Sequence, residues 1–326
     1  MSNVREDLWG GASFRRGAAF VEGDFVPVAE AKISILDAGF SRSDVTYDVV
    51  AVWNGAFFRL DDHLDRFERS CASLRMQPPF DRTEIASILT DLVRLSGLRS
   101  SYVDMICTRG APRDGSRDPR TYENRFFAYA VPFVWILPNA NSSEHGMQAI
   151  IARTVQRIPE SSVDPRVKNF HWGDLTRGLY EAYDRGGLHP ILLDADGLVT
   201  EGAGYNVFAL VEGQLLTPAG GALEGVTRKT VLEFAEREGI AAAGVALTEE
   251  AFRQATEMFA TSTAGGVMAI TSLDGEPVGD GRVGPVTRRL RDLYWEAHAD
   301  PRYITKIDYR HVVGPEGPAP PGRSSA

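Results

Sequence analysis

The sequence predicts an α+β protein of two domains. Three observations carry this. The chain has 326 residues, beyond the size at which a single hydrophobic core usually stops growing. Short runs rich in β-branched and aromatic residues, bounded by turn dipeptides, are interspersed with longer stretches of helical period. A polar break, Pro138 to Gly146, interrupts that pattern near the middle and reads as a linker. The expected division is residues 1–137, the linker 138–146, residues 147–312 and a tail, 313–326.

Taken in order, Ala18 to Val28 is two apolar runs around Glu22-Gly23-Asp24, a hairpin pattern, and Lys32 to Leu36 alternates like a further strand. Val45 to Leu60 holds two runs of Val, Tyr, Trp and Phe around Asn54-Gly55, a strong two-residue hairpin signal. Asp61-Asp62 then caps a helix with Leu64, Phe67, Cys71 and Leu74 on one stripe, which leaves Arg66 off it beside His63 and Ser70. A second helix runs from about Arg82 to Leu95 and stops near Gly97. Strands follow at Tyr102 to Thr108 and Phe126 to Trp135, around a polar loop, Gly110 to Arg125.

Past the break, strands are expected at Gln148 to Val155, Ile191 to Asp194, Asn206 to Val211, Glu257 to Thr261 and Val267 to Leu273. Helices are expected at Asp174 to Arg185, with Asp174 as N-cap and Gly186-Gly187 as stop, and at Thr227 to Glu238 and Pro285 to Ala297. The Gly-, Pro- and Ser-rich tail is expected to be disordered.

Composition narrows the function. A net charge of -9 argues against nucleic acid as the main partner, because phosphate contacts need a basic footprint. Two cysteines, Cys71 and Cys107, are too few for a disulfide framework and fit a reducing cytoplasm. The beginning, Met1 to Asp7, lacks the apolar core of a signal peptide, and the longest apolar run, Phe126 to Leu137, is too short to span a bilayer. The six histidines are scattered and no His-x-x-x-His or Cys-x-x-Cys spacing occurs, so no metal site is expected.

Lysine is the informative residue. Only Lys32, Lys168, Lys229 and Lys306 occur, so 31 of the 35 basic residues are arginine. Arginine supplies charge but cannot lose its proton and attack a carbonyl, whereas a desolvated lysine can. Lys168 lies among Val167 and Phe170 in an extended segment after Pro165. Thr200-Glu201-Gly202-Ala203-Gly204 places a carboxylate at a strand end followed by small residues that let a flat ligand approach; alone, Glu201 also reads as a solvated turn residue. Gly225-Val226-Thr227-Arg228 opens a helix whose first-turn N–H groups suit a phosphate, although Thr227 also reads as an ordinary N-cap. Thr263-Ala264-Gly265-Gly266 offers a hydroxyl and backbone N–H groups in a turn.

With these four motifs in this order, and with Thr46-Tyr47-Asp48-Val49, Phe57-Phe58-Arg59-Leu60 and Asp61 to Arg66 before them, the chain resembles the pyridoxal-5′-phosphate (PLP) aminotransferases of fold type IV from about Gly10 to Tyr309. That group contains branched-chain, D-amino-acid and (R)-selective amine transaminases, and the stretch Val163 to Asp174 is most similar to the (R)-amine branch. The resemblance implies a smaller N-terminal α/β domain, a larger barrel-like C-terminal α/β domain, and a homodimer. It implies that Lys168 carries PLP as a Schiff base and moves the proton, and that Glu201 pairs with the pyridine nitrogen. Arg66, Val226, Thr227 and Thr263 would hold the phosphate.

The implied substrate pocket involves Tyr47, Val49, Tyr102, Asp104, Trp172 and Ala264. Arg113 or Arg117 in the polar loop could pair a substrate carboxylate. Where the amine branch usually carries a leucine–histidine pair, this chain has Ser41-Arg42; a cation there reads either as favouring carboxylate-bearing substrates, which points toward D-amino acids, or as a residue facing solvent. The expected activity is ping-pong transfer of an amino group from an (R)-amine or D-amino acid to a keto acid such as pyruvate. The alternatives are a D-amino-acid or branched-chain transaminase and, further off, an aminodeoxychorismate lyase.

Overall fold

The computed structural model describes residues 13–112, 115–137 and 146–310. The expected linker (but for Gly146), the tail, Arg113 and the first twelve residues lie outside these. Two compact units divide the chain, one running to Val134 and resuming at Pro301, the other Trp135–Asp300.

In the first unit, β1 (Ala18–Val21) and β2 (Asp24–Pro27) form the expected hairpin, its turn made by Glu22 and Gly23 at positive φ. Lys32 to Leu36 is not a strand. It runs as exposed chain with Ile35 and Leu36 over 70% accessible, so the alternation there reflects no sheet face. A short helix that the sequence reading missed, α1 (Ala38–Arg42), follows, capped by Asp37. Strands β3 (Val45–Trp53) and β4 (Ala56–Phe58) flank Asn54-Gly55, both at positive φ as such a turn requires. Helix α2 (Leu60–Ser73) starts one residue before Asp61 and is capped by Arg59 in the left-handed region, so the two aspartates occupy its first turn instead. Helix α3 (Arg82–Ser96) has a full capping box between Asp81 and Glu84, and Gly97 ends it.

Strand β5 (Ser101–Pro112) runs well past its expected end, and β6 (Tyr122–Pro132) begins before its expected start at Phe126 but stops short of Trp135. With the last strand, Ile304–Lys306, they complete a seven-stranded antiparallel sheet. That pairing to β4 puts residues 301–310 in the first unit, not with 147–312 as the sequence suggested. One sheet face buries Val50, Val103, Met105 and Phe126 against Leu64, Phe67, Leu89 and Leu92 of the helices. By register the opposite face carries Tyr47, Val49, Tyr102, Asp104 and Tyr129.

The second unit is built on β7 (Met147–Ile151), α4 (Gly173–Asp184), β8 (His189–Leu193), β9 (Val199–Gly202), β10 (Tyr205–Val211) and β11 (Gln214–Pro218). After these come α5 (Val226–Arg237), β12 (Ala242–Val245), α6 (Glu249–Arg253), β13 (Glu257–Ser262), β14 (Gly266–Leu273), β15 (Glu276–Pro277) and α7 (Pro285–Glu296). Because β9 pairs with both β8 and β10, the path β10-β13-β14-β7-β8-β9 closes on itself. The result is a six-stranded mixed barrel, parallel at β14–β7 and β7–β8 and antiparallel elsewhere. Closure removes the edges of these six strands, while β12, paired to β11, and β15, paired to β14, lie outside the ring as edge strands. Met147, Ile151, Val207, Ala260 and Ile270 lie in its core. Among the described residues no helix is long and apolar enough to cross a membrane.

Helix α7 has no side-chain cap of its own; its N-cap is Gly284 and Pro285 follows. The carboxylate of Glu257, from β13, accepts instead from Val286 N (3.1 Å) and from Thr287 N and Oγ1 (both 2.7 Å). A Cβ on Gly284 would stand 2.1 Å from that carboxyl carbon, so only glycine fits. Glu257→Ala is expected to remove about 2 kcal/mol of stability, the worth of charge-assisted bonds at a helix start, measured by equilibrium urea unfolding.

Candidate active site

At one end of the barrel three strand residues come into line: Glu201 of β9 pairs with Asn206 of β10, and Asn206 with Thr261 of β13. Glu201 is buried, with its Oε2 accepting from Leu223 N at 3.0 Å. Asn206 Nδ2 donates to the carbonyl of the same residue, Leu223, at 2.7 Å. These two adjacent side chains therefore clamp both sides of one residue, and the chain beyond it runs directly into α5. Gly225 is the N-cap there and contributes no side-chain bond. Its Cβ, if it had one, would lie 2.1 Å from Asn206 Oδ1. Val226 and Thr227, both buried, make the first turn.

Two turns share this end. Ser262 Oγ donates to Gly204 O in the β9–β10 turn at 2.9 Å and accepts from Ala264 N at 3.2 Å, which joins that turn to Thr263-Ala264-Gly265 between β13 and β14. Trp172 packs over Gly204, its ring 3.4 Å from where a Cβ would stand. Lys168, half-buried, lies in irregular chain before α4, and its charge acts on Glu201.

Glu201 has a further partner that the sequence did not announce. Arg157, also buried, directs Nε and an Nη to Oε1 (3.1 and 3.0 Å) and its other Nη to Asp174 Oδ2 at 2.7 Å. Burial pushes the Glu201 carboxyl up, while Arg157, the Leu223 N–H and Lys168 pull the other way. Asp174 is not the expected N-cap. Trp172 holds that position, α4 begins at Gly173, and Asp174 sits buried in the first turn, where Ile158 N also donates to it at 2.9 Å.

The remaining expected residues belong to the first unit. Arg66, expected off the buried stripe of its helix, is in fact 4% exposed. Its Nε and Nη2 donate to Asp48 at 2.7 and 2.8 Å, and His63 Nδ1 meets the same carboxylate at 2.7 Å. Burial would raise Asp48, but Arg66 and His63 hold it far below the usual carboxylate range; burial also lowers His63, which favours neutral imidazole. Tyr47 and Asp104 are buried, and Tyr129 donates to Asp104 at 3.0 Å. Burial, and then the Asp104 charge, raise the Tyr102 phenol. Arg42 and Arg117 are exposed, and Arg42 donates to Tyr122 Oη at 3.1 Å.

Known proteins share this chain's sequence pattern and fold. The family model for class IV amino-transferases matches residues 46–273. The chain is 29% identical to the D-alanine aminotransferase of Staphylococcus haemolyticus over 84% of its own length and 95% of that protein's. It is 29% identical to the branched-chain-amino-acid aminotransferase of Pseudomonas aeruginosa, over 90% and 98%. A solved structure, the branched-chain amino acid aminotransferase from Thermobaculum terrenum in its PLP-bound holo-form, superposes at a TM-score of 0.80 with 26% identity, covering 89% of this chain and 98% of that one. The chain belongs to the class IV aminotransferase family and has its fold. It is an aminotransferase.

Gly225→Ala tests the clamp. The added methyl is expected to drive Asn206 from Leu223 and lower stability by about 1–3 kcal/mol, seen as a reduced melting temperature.

Proposed function

We propose that this enzyme transfers amino groups between amino acids and keto acids, with Lys168 as its catalytic base and Glu201 as the partner of the PLP ring nitrogen. PLP is the cofactor. The observation that carries the assignment is the acceptor count at Glu201. A carboxylate offers about four acceptor positions; among the described residues Arg157 Nε donates to Oε1 and Leu223 N to Oε2, with a second Arg157 nitrogen at ion-pair distance, 3.0 Å, from Oε1. One position remains on Oε2, which suits a ring N–H. An N-terminal helix turn whose cap makes no side-chain bond, with Val226 and Thr227 in it, suits a phosphate.

PLP supplies an electron sink for the pair released when the donor Cα–H bond breaks. In this proposal Lys168 Nζ takes that Cα proton and later returns it. Glu201 keeps the ring nitrogen protonated. Val226 N, Thr227, Thr263 and, from the family pattern, Arg66 hold the phosphate, with Asp48 fixing the Arg66 guanidinium. Trp172 and Ala264, beside the two turns, and Tyr47, Val49, Tyr102 and Asp104 on their sheet face are the substrate-side residues we propose from the resemblance. Arg42 and Arg117 are the candidates for a substrate carboxylate. A homodimer is consistent with the exposed apolar side chains Ile35, Leu36 and Phe40.

The named relatives act on D-alanine or branched-chain amino acids, and this moves the proposal from simple (R)-amines to amino-acid donors. A panel of D-alanine, L-leucine and (R)-1-phenylethylamine with pyruvate or a branched keto acid tests it. Turnover of an amino acid is expected, and turnover of the phenylethylamine alone would overturn it. Lys168→Ala is expected to lower kcat by at least about a thousandfold. Borohydride reduction of the wild-type holoenzyme is expected to fix the cofactor on the peptide carrying Lys168.

A further inference from the structure

The chemistry proposed for Glu201 does not account for the sharing of Arg157, the cation beside it. Asp174, Arg157 and Glu201 are each between 6 and 7% exposed, so all three charges are withdrawn from water together. A guanidinium paired with one buried carboxylate alone would satisfy that carboxylate and weaken it as a partner for anything else. Here the guanidinium is divided. Its Nε edge faces Glu201 Oε1, and the other Nη is 2.7 Å from Asp174 Oδ2. The groups acting on Glu201 are Arg157, Lys168 and the Leu223 N–H, all favouring its anion. Asp174 is a second anion on the far side of the same guanidinium. It is itself fixed by Ile158 N at 2.9 Å and Leu175 N at 2.8 Å. Arg157 is anchored at its backbone too, where its N–H donates to Leu193 O of β8 at 2.8 Å.

We propose that Asp174 is a positioning residue for the cofactor's ring nitrogen, acting through Arg157: by taking a share of the guanidinium it leaves Glu201 enough negative charge to hold the ring N–H. The proposal rests on the assignment of Glu201 to that nitrogen. Asp174 touches neither cofactor nor substrate in this scheme. Its effect is electrostatic, since one negative charge at the outer end of the row raises the proton affinity of the group at the inner end. Removing that charge makes the ring nitrogen lose its proton at lower pH.

The test is 15N NMR of the holoenzyme loaded with PLP labelled at the ring nitrogen, recorded as a function of pH for wild type, D174N and E201Q. In D174N the midpoint for loss of the ring proton is expected to fall by about one pH unit, the size of effect a nearby charge exerts. E201Q is expected to abolish the protonated signal. D174E, which keeps the charge, is expected to return the midpoint toward wild type, a rescue that a merely structural role would not give. Melting curves establish that each variant folds; if D174N does not, D174S removes the same charge with a smaller side chain. A D174N midpoint equal to wild type, with E201Q still shifted, overturns the role of Asp174 and leaves the function intact. An unchanged signal in E201Q as well overturns the assignment of Glu201 and this proposal with it.

Discussion

Burying a carboxylate costs several kcal/mol unless something inside the protein replaces the water it loses. Glu201 is buried at the end of a closed barrel, and Arg157 together with the Leu223 N–H supplies that replacement. Much else depends on this. The Leu223 bond fixes the chain that leads into α5, Asn206 grips the same residue from the neighbouring strand, and only glycine fits beside it at 225. The start of α5 is thus placed by the same side chain that, in the proposed chemistry, faces the ring. Two ends of a flat anionic cofactor would be served by one hydrogen-bonded unit.

The first unit solves the same problem the same way. Asp48, fully buried, is neutralised by the paired donors of Arg66 and contacted by His63. Both buried carboxylates that matter here are thus met by arginine, in a chain where arginine has displaced nearly every lysine. The preference has a physical basis: a planar fork can satisfy one carboxylate with two bonds and retain donors for another, which a lysine point charge does less well.

Local signals made much of this legible. Asn54-Gly55 marked a hairpin, Gly97 a helix end, and the Gly225 to Arg228 motif the start of α5, because each depends on a few neighbouring residues. Lys168 stood out by rarity, and Glu201 by the small residues after it. What was hidden is long-range. Nothing near Arg157 in the sequence marks it as the partner of residues 17 and 44 positions away. Asp174 looked like an N-cap because caps are the commonest use of an aspartate before a helix, but Arg157 and Ile158 N claim its carboxylate. Arg66 looked solvated on the helical wheel because its burial comes from Asp48 on a strand. The alternation from Lys32 to Leu36 misled because period two describes a strand only where a neighbouring strand exists to receive it.

The final strand, Ile304–Lys306, has a consequence for how the polypeptide comes to be folded. Its partner β4 emerges early in synthesis, yet it waits for nearly the whole chain before the sheet gains that edge. Until then Ala56–Phe58 presents open backbone, and the core position of Ile307 goes unfilled. A ribosome-bound N-terminal half is therefore an incomplete fold with a sticky margin, and a gene truncated shortly before codon 301 would harm the beginning of the protein rather than its end.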